Sequence, residues 1–346
     1  MTARWETITK PNTNMKTRNL THPSPSMRSR VVFSVLFLFA GALAVAPLHA
    51  DDVTGGSPQT VHHRVAKVEG LDIFYREAGP KDAPTILLLH GFPTSSNMFR
   101  NLIPQLATQF HVVAPDYPGF GLSSMPDRHQ FAYTFENLTN AINQLVDRLK
   151  LSSYSLYVFD YGAPVGYRLA LRHPERVKAL IIQNGNAYEE GLPKIWDPFR
   201  AYWKEPTAET RRGLHYLIKP EATRWQYENG VTDRTLLDPT TWTLDQARLD
   251  RPGNADFQLD LFLSYASNVA LYPQFQEFFR KYQPPALIVW GKNDEVFPPV
   301  GAAAYQRDLK TVETHLLDTG HFALETHGEE IAQRIRAFLT KHQIAR

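Results

Sequence analysis

Short, continuous apolar runs separated by helical periodicity constrain the fold of this chain more than any other feature. Leu71-Asp72-Ile73-Phe74-Tyr75 alternates like an early strand, and Thr85 to His90 is almost wholly apolar. Similar runs recur at His111 to Ala114, Tyr154 to Phe159, Ala179 to Ile182, Ala286 to Trp290 and Val312 to Leu317. A run of four to six apolar residues is too short for a buried helix and reads as a strand covered on both faces, the pattern of a parallel sheet. Between them, Phe135, Leu138, Ala141, Ile142, Leu145, Val146 and Leu149 recur at three-and-four spacing, with Thr134 placed to cap the helix. Strand, helix, strand alternation predicts an α/β fold, a mostly parallel central sheet flanked by helices. In such sheets functional groups collect at the carboxyl ends of the strands.

The alternation stops after Ile182 and resumes at Ala286, announced by Pro284-Pro285. The stretch between is rich in aromatic residues, among them Trp196, Trp203, Trp225 and Trp242, and reads as an inserted helical lid. Most of these rings serve a subdomain core, and those above the strand ends make a dry pocket. The expected division is an N-terminal extension with a signal peptide over 1–50, a first core part over 51–186, the lid over 187–283, and a second core part over 284–346.

The first fifty residues carry Arg4, Lys10, Lys16, Arg18, Arg28 and Arg30 against the single acid Glu6, and an apolar run from Val31 to Ala46 follows. This is the pattern of an exported precursor cut after Ala50, which predicts a periplasmic or secreted protein. The alternative is an anchor over residues 31–47, although the run is shorter than the roughly 20 residues a spanning helix needs. Beyond residue 50 acidic side chains slightly outnumber basic ones, so no nucleic-acid partner is called for. The chain has no Cys, which excludes thiolate metal sites and Cys nucleophiles and suits an oxidising compartment. His62-His63 reads as a solvated pair ahead of the first strand. Gly119-Phe120-Gly121 lacks the third glycine of a dinucleotide loop.

Candidate chemistry lies at strand ends. Val158-Phe159-Asp160-Tyr161-Gly162-Ala163 joins a buried strand to a helical stretch from Val165 to Leu171, and puts a lone acid on a sharp turn lined by small residues, although Val158 is bulky for such a turn. Taken alone, Asp160 also reads as a helix cap. Asp294 follows the Ala286 to Trp290 run, three residues after Gly291, and His321 follows the last strand beside Gly320. The segment His90-Gly91-Phe92-Pro93 ends its own strand, where the backbone N–H of Phe92 can join that of Tyr161 as a pair of oxyanion donors. No G-x-S-x-G occurs, which disfavours a serine esterase, and Asn184 and Asn186 rather than a carboxylate follow the Ala179 to Ile182 run.

On His90-Gly91-Phe92-Pro93, Asp116-Tyr117-Pro118-Gly119-Phe120-Gly121-Leu122-Ser123, the Asp160 turn, Gly291-Lys292-Asn293-Asp294 and Gly320-His321-Phe322, the chain resembles the α/β-hydrolase superfamily from about His63 to Phe338. Within it, the chain is similar to the epoxide hydrolase and haloalkane dehalogenase branch. The resemblance implies Asp160 as nucleophile, Asp294 as the orienting acid and His321 as base, acting through an aspartyl ester without a cofactor or metal. It implies a small apolar organic substrate and water. Epoxide opening in that branch uses lid tyrosines. Tyr265 matches the second of these, whereas the segment Phe199 to Pro206 puts Phe199 at the place of the first, with Tyr202 one helical turn later as a substitute. Haloalkane cleavage needs N–H donors for the halide, commonly a Trp after the nucleophile, and here that position is Tyr161. An epoxide hydrolase is therefore the leading expectation, with a haloalkane dehalogenase of unusual halide site and a non-catalytic hydrophobic-ligand binder as alternatives.

Overall fold

The computed structural model describes residue 57 and residues 59–345. The expected signal peptide and its cleavage site after Ala50 lie outside the described residues. Eight strands form one sheet: β1 His62–Val68, β2 Leu71–Ala78, β3 Thr85–Leu89, β4 His111–Pro115, β5 Tyr154–Phe159, β6 Val177–Gln183, β7 Ala286–Gly291 and β8 Val312–Leu317. Their order is β1-β2-β4-β3-β5-β6-β7-β8. The β1–β2 and β2–β4 pairs are antiparallel and the rest are parallel.

The apolar runs become strands buried on both faces, and the two-residue side-chain period sorts them between two cores. Leu87, Leu89, Leu156, Val158, Leu180, Ile182 and Ile288 face one core, which the helices Phe135–Arg148 and Gly162–Arg172 complete. Ile86, Leu88, Tyr157, Phe159, Ile181, Leu287 and Val289 face the other, closed largely by the C-terminal helix Ala323–Lys341. The Thr134 hydroxyl caps Phe135–Arg148 by accepting from Asn137 N–H at 3.1 Å.

Two sequence expectations are corrected. His62 and His63 do not precede the first strand; they open β1, an exposed edge strand whose residues alternate too weakly to be read from the sequence. The helix after Asp160 begins at Gly162, three residues before the expected Val165, because Gly162 and Ala163 already take helical backbone in the tight turn. Between β6 and β7 the chain is helical, with helices including Asp197–Lys204, Pro220–Glu228, Thr240–Leu249, Asn254–Ser264 and Tyr272–Tyr282. No helix among the described residues is long and apolar enough to cross a membrane.

Candidate active site

Asp160 follows β5 directly and holds a left-handed backbone (φ 48°), a conformation a non-glycine residue adopts at a cost of roughly 1 kcal/mol or more. This turn lifts its carboxylate out of the strand and aims it back at the end of β3. Space for the turn is made by glycines. A Cβ on Gly91 would come within 2.4 Å of the Asp160 side chain. The bulky Val158 is accommodated because Gly166, one turn into the following helix, has no side chain; a Cβ there would stand 2.7 Å from Val158 Cγ1.

The carboxylate of Asp160 occupies the expected donor pair. Oδ1 accepts from the Phe92 N–H at 2.6 Å, and the carboxylate also accepts from the Tyr161 N–H. The loop carrying Phe92 is held from beneath by His90. Its Nδ1 faces the Gly91 carbonyl at 3.0 Å and must donate, while Nε2 accepts from Tyr117 N–H at 3.2 Å, so the ring is neutral. Burial agrees, pushing His90 down to about 4. Asp116 ties the same loop to its neighbour by accepting from Ser96 N–H at 2.7 Å and Leu122 N–H at 2.8 Å.

His321 Nδ1 lies 2.7 Å from Asp294 Oδ2, which as a carboxylate can only accept, so Nε2 is the free nitrogen and faces Asp160 Oδ2 at 4.0 Å. Asp294 is itself held by the N–H groups of Val296 and Phe297 on Oδ1, at 2.7 and 3.1 Å, and by the Asn184 amide on Oδ2 at 2.7 Å. Asn184, also left-handed at φ 43°, accepts from Gly291 N–H and so clamps the ends of β6 and β7 together. Burial raises Asp160 to about 6, partly opposed by His321 and by the Phe92 and Tyr161 N–H groups. For His321, burial lowers the pKa, but the charge and hydrogen bond of Asp294, with the charge of Asp160, leave it raised.

Above Asp160 lies a cavity of about 480 Å³. Its walls are apolar, with Trp196, Phe199, Leu217, Trp225 and Phe262 from the lid facing Phe92 and Tyr161 from the core. Apolar walls strengthen the electrostatic interactions at Asp160 and suit an apolar substrate.

The structure brings Asp160, Asp294, His321 and the Phe92 and Tyr161 N–H groups together. Neither expected lid tyrosine lines the cavity, although Tyr265 lies near enough to Asp160 for that charge to raise its pKa further and its ring stands 6.1 Å from that of Tyr161. The Tyr202 hydroxyl accepts from Arg211 at 3.0 Å, and Tyr202 does not line the cavity. Its helix turns it toward the Arg211–Asp260 pair, so it does not replace Phe199, which does line the cavity. Tyr265 packs its ring against Trp196 (centroids 4.7 Å apart), and its hydroxyl is hydrogen-bonded to Tyr272, whose hydroxyl accepts from Asn186 at 3.1 Å. The roles of Asn184 and His90 escape sequence reasoning because they rest on partners distant in the chain, although each stands at the end of an apolar run. The cavity-lining Gln226 carries no such signal.

A family model for the alpha/beta hydrolase fold matches residues 84–328. An uncharacterized hydrolase of Saccharomyces cerevisiae is 47% identical over 277 residues, spanning 79% of this chain and 95% of the relative. Epoxide hydrolase 3 of Mus musculus is 25% identical over 287 residues, 79% of this chain and 75% of the relative. Among solved structures, a point mutant of the haloalkane dehalogenase DatA from Agrobacterium tumefaciens superposes with a TM-score of 0.69 at 25% identity, covering 82% of this chain and 98% of that one. With its eight-stranded, mostly parallel sheet and flanking helices, the chain belongs to the α/β-hydrolase fold family and is an enzyme of that family.

Proposed function

We propose that the protein hydrolyses apolar epoxides to diols through an ester on Asp160. The observation that carries this reading is the alignment of a buried carboxylate, one oxygen held by backbone N–H groups and the other facing His321, at the floor of an apolar cavity. A carboxylate needs no base to attack carbon. The charges of Asp294 and Asp160 favour the imidazolium form of His321 beside the Asp160 carboxylate. Asp160 Oδ2 forms a bond to an epoxide carbon as the carbon–oxygen bond breaks, and the electron pair leaves with the ring oxygen. That oxygen takes the imidazolium proton, which leaves His321 neutral. Esterification also removes the Asp160 charge, one of the causes that raise His321, so the imidazole is better suited to act as a base. His321 then takes a proton from water as the hydroxide attacks the ester carbonyl, whose developing negative charge falls on Oδ1 between the Phe92 and Tyr161 N–H groups. Collapse releases the diol and restores the carboxylate and imidazolium, for a net consumption of one water.

Replacing His321 by Gln leaves the nucleophile and removes both the base of the second step and the proton donor of the first, so the ester forms more slowly, with solvent water protonating the departing oxygen, and then accumulates. Intact-mass measurement of the His321→Gln protein with styrene oxide is expected to show a stoichiometric adduct on Asp160, and Asp160→Ala is expected to be inactive with no adduct. Undiminished diol formation by Asp160→Ala would refute the mechanism. Halide release from bromoalkanes with no diol from styrene oxide would favour the dehalogenase alternative.

A further inference from the structure

Ring opening leaves negative charge on the departing oxygen, and in a dry cavity that charge needs a hydrogen-bond donor from the lid. Neither expected donor lines the cavity: Tyr202 lies outside it beside Arg211, and the Tyr265 hydroxyl is bonded to Tyr272. The indole N–H of Trp196 is also spent, on the Val296 carbonyl at 2.9 Å. Gln226 is the buried candidate. It lies on the helix Pro220–Glu228, lines the cavity and is 8% exposed, and its Nε2 is buried with no hydrogen-bond partner. Trp196 aside, of the other donor-bearing or charged side chains that the lid adds to the lining Tyr216, Lys219 and Glu221 are exposed and Trp225, whose indole N–H is a second donor, is half-buried; Gln226 is the buried one among the described lid residues there.

The helix end that carries Gln226 is fixed against the loop that carries His321. The neighbouring Tyr227 stacks on Phe322 with centroids 3.9 Å apart and donates its hydroxyl to Asp245 at 2.6 Å. The Asn229 carbonyl sits so close to Gly320 that a Cβ there would come within 1.8 Å of it. The helix end that bears Gln226 and the loop that bears His321 are therefore packed directly on one another, which favours a donor that need not reorganise during the reaction. Rotation about the last side-chain bond lets the amide turn an N–H to the cavity.

We propose that the Gln226 side-chain amide is the lid's hydrogen-bond donor to the oxygen that leaves carbon when Asp160 attacks, doing the work expected of a lid tyrosine. The proposal rests on the aspartyl-ester reading. The amide holds the oxygen by an N–H hydrogen bond and keeps its own proton; the proton the oxygen acquires comes from His321. Because the amide is neutral across the working range, its contribution is independent of pH. It also defines the substrate as an apolar body with a single small acceptor atom beside the electrophilic carbon.

The test measures ester formation alone. In a His321→Gln background, where solvent water supplies the proton that His321 would give, rapid quenching with styrene oxide and intact-mass detection gives the rate at which the Asp160 ester appears. Adding Gln226→Met, which keeps the length and removes both N–H groups, is expected to slow ester formation by about 100-fold. Gln226→Glu serves as the second variant should the Met protein not fold, as judged by circular dichroism, and at neutral pH it is expected to slow the same step. Ester formation at the parent rate in a folded variant would overturn the proposal. So would normal ester formation with slow ester breakdown when His321 is present, since Gln226 would then act on the hydrolytic water. If the His321→Gln parent itself forms no ester with epoxides, the aspartyl-ester reading fails, and this inference fails with it.

Discussion

Asp160 combines three things that pull against one another: a left-handed backbone, burial, and a negative charge. Burial would keep the carboxyl protonated, and the two N–H groups with His321 bring it back to a pKa of about 6. The sign of the pH dependence follows. Above about 6 the nucleophile is ionised; as pH falls below it, the reactive form is lost about tenfold per unit. The pre-steady-state rate of ester formation is therefore expected to show an acid limb near 6, and in His321→Gln that limb should move upward, because the positive charge that lowers Asp160 is gone. A limb that stays near the ordinary Asp range of about 4 would contradict this balance. At this scale the sequence was legible for Asp160, Asp294 and His321, because each is a polar residue at the end of an apolar run. It was not legible for Tyr202 and Tyr265, whose hydroxyl partners are set by how the lid helices face one another.

Strand ends and the turns that follow them determine where these side chains sit. The buried runs made β3 to β7 readable, since continuous apolar stretches leave little choice but a covered parallel strand. Val158, which looked oversized for the turn before Asp160, is resolved by a relation between two elements: β5 bears the bulk and the next helix gives way at Gly166. The pair makes a prediction. Gly166→Ala should overpack this contact and lower stability by about 1–3 kcal/mol, and adding Val158→Ala should recover much of the loss. Thermal unfolding of both single variants and the double variant checks it; strictly additive losses would show that the two side chains do not compete for one space. Edge strand β1 was missed for the opposite reason, since five of its seven residues are exposed and carry little pattern.

Across the whole molecule, the sheet supplies the reacting groups and the inserted helices supply the apolar space above them. The length of the insertion and its aromatic richness were legible as an interruption of the alternation. Its individual helices and the face each turns to Asp160 were not, because aromatic residues line both its own core and the cavity. The lid is joined to the core where it matters, with Tyr227 against Phe322 and the Asn184 clamp close beneath, so the cavity roof and the His321 loop are positioned together. The central claim is that the oxygen added to the substrate comes first from Asp160 and not from water. A single turnover in heavy-oxygen water, with enzyme in excess over styrene oxide, tests it directly. The account predicts a diol free of the heavy isotope and one heavy oxygen incorporated into the Asp160 carboxylate. A labelled diol with an unlabelled Asp160 would contradict it.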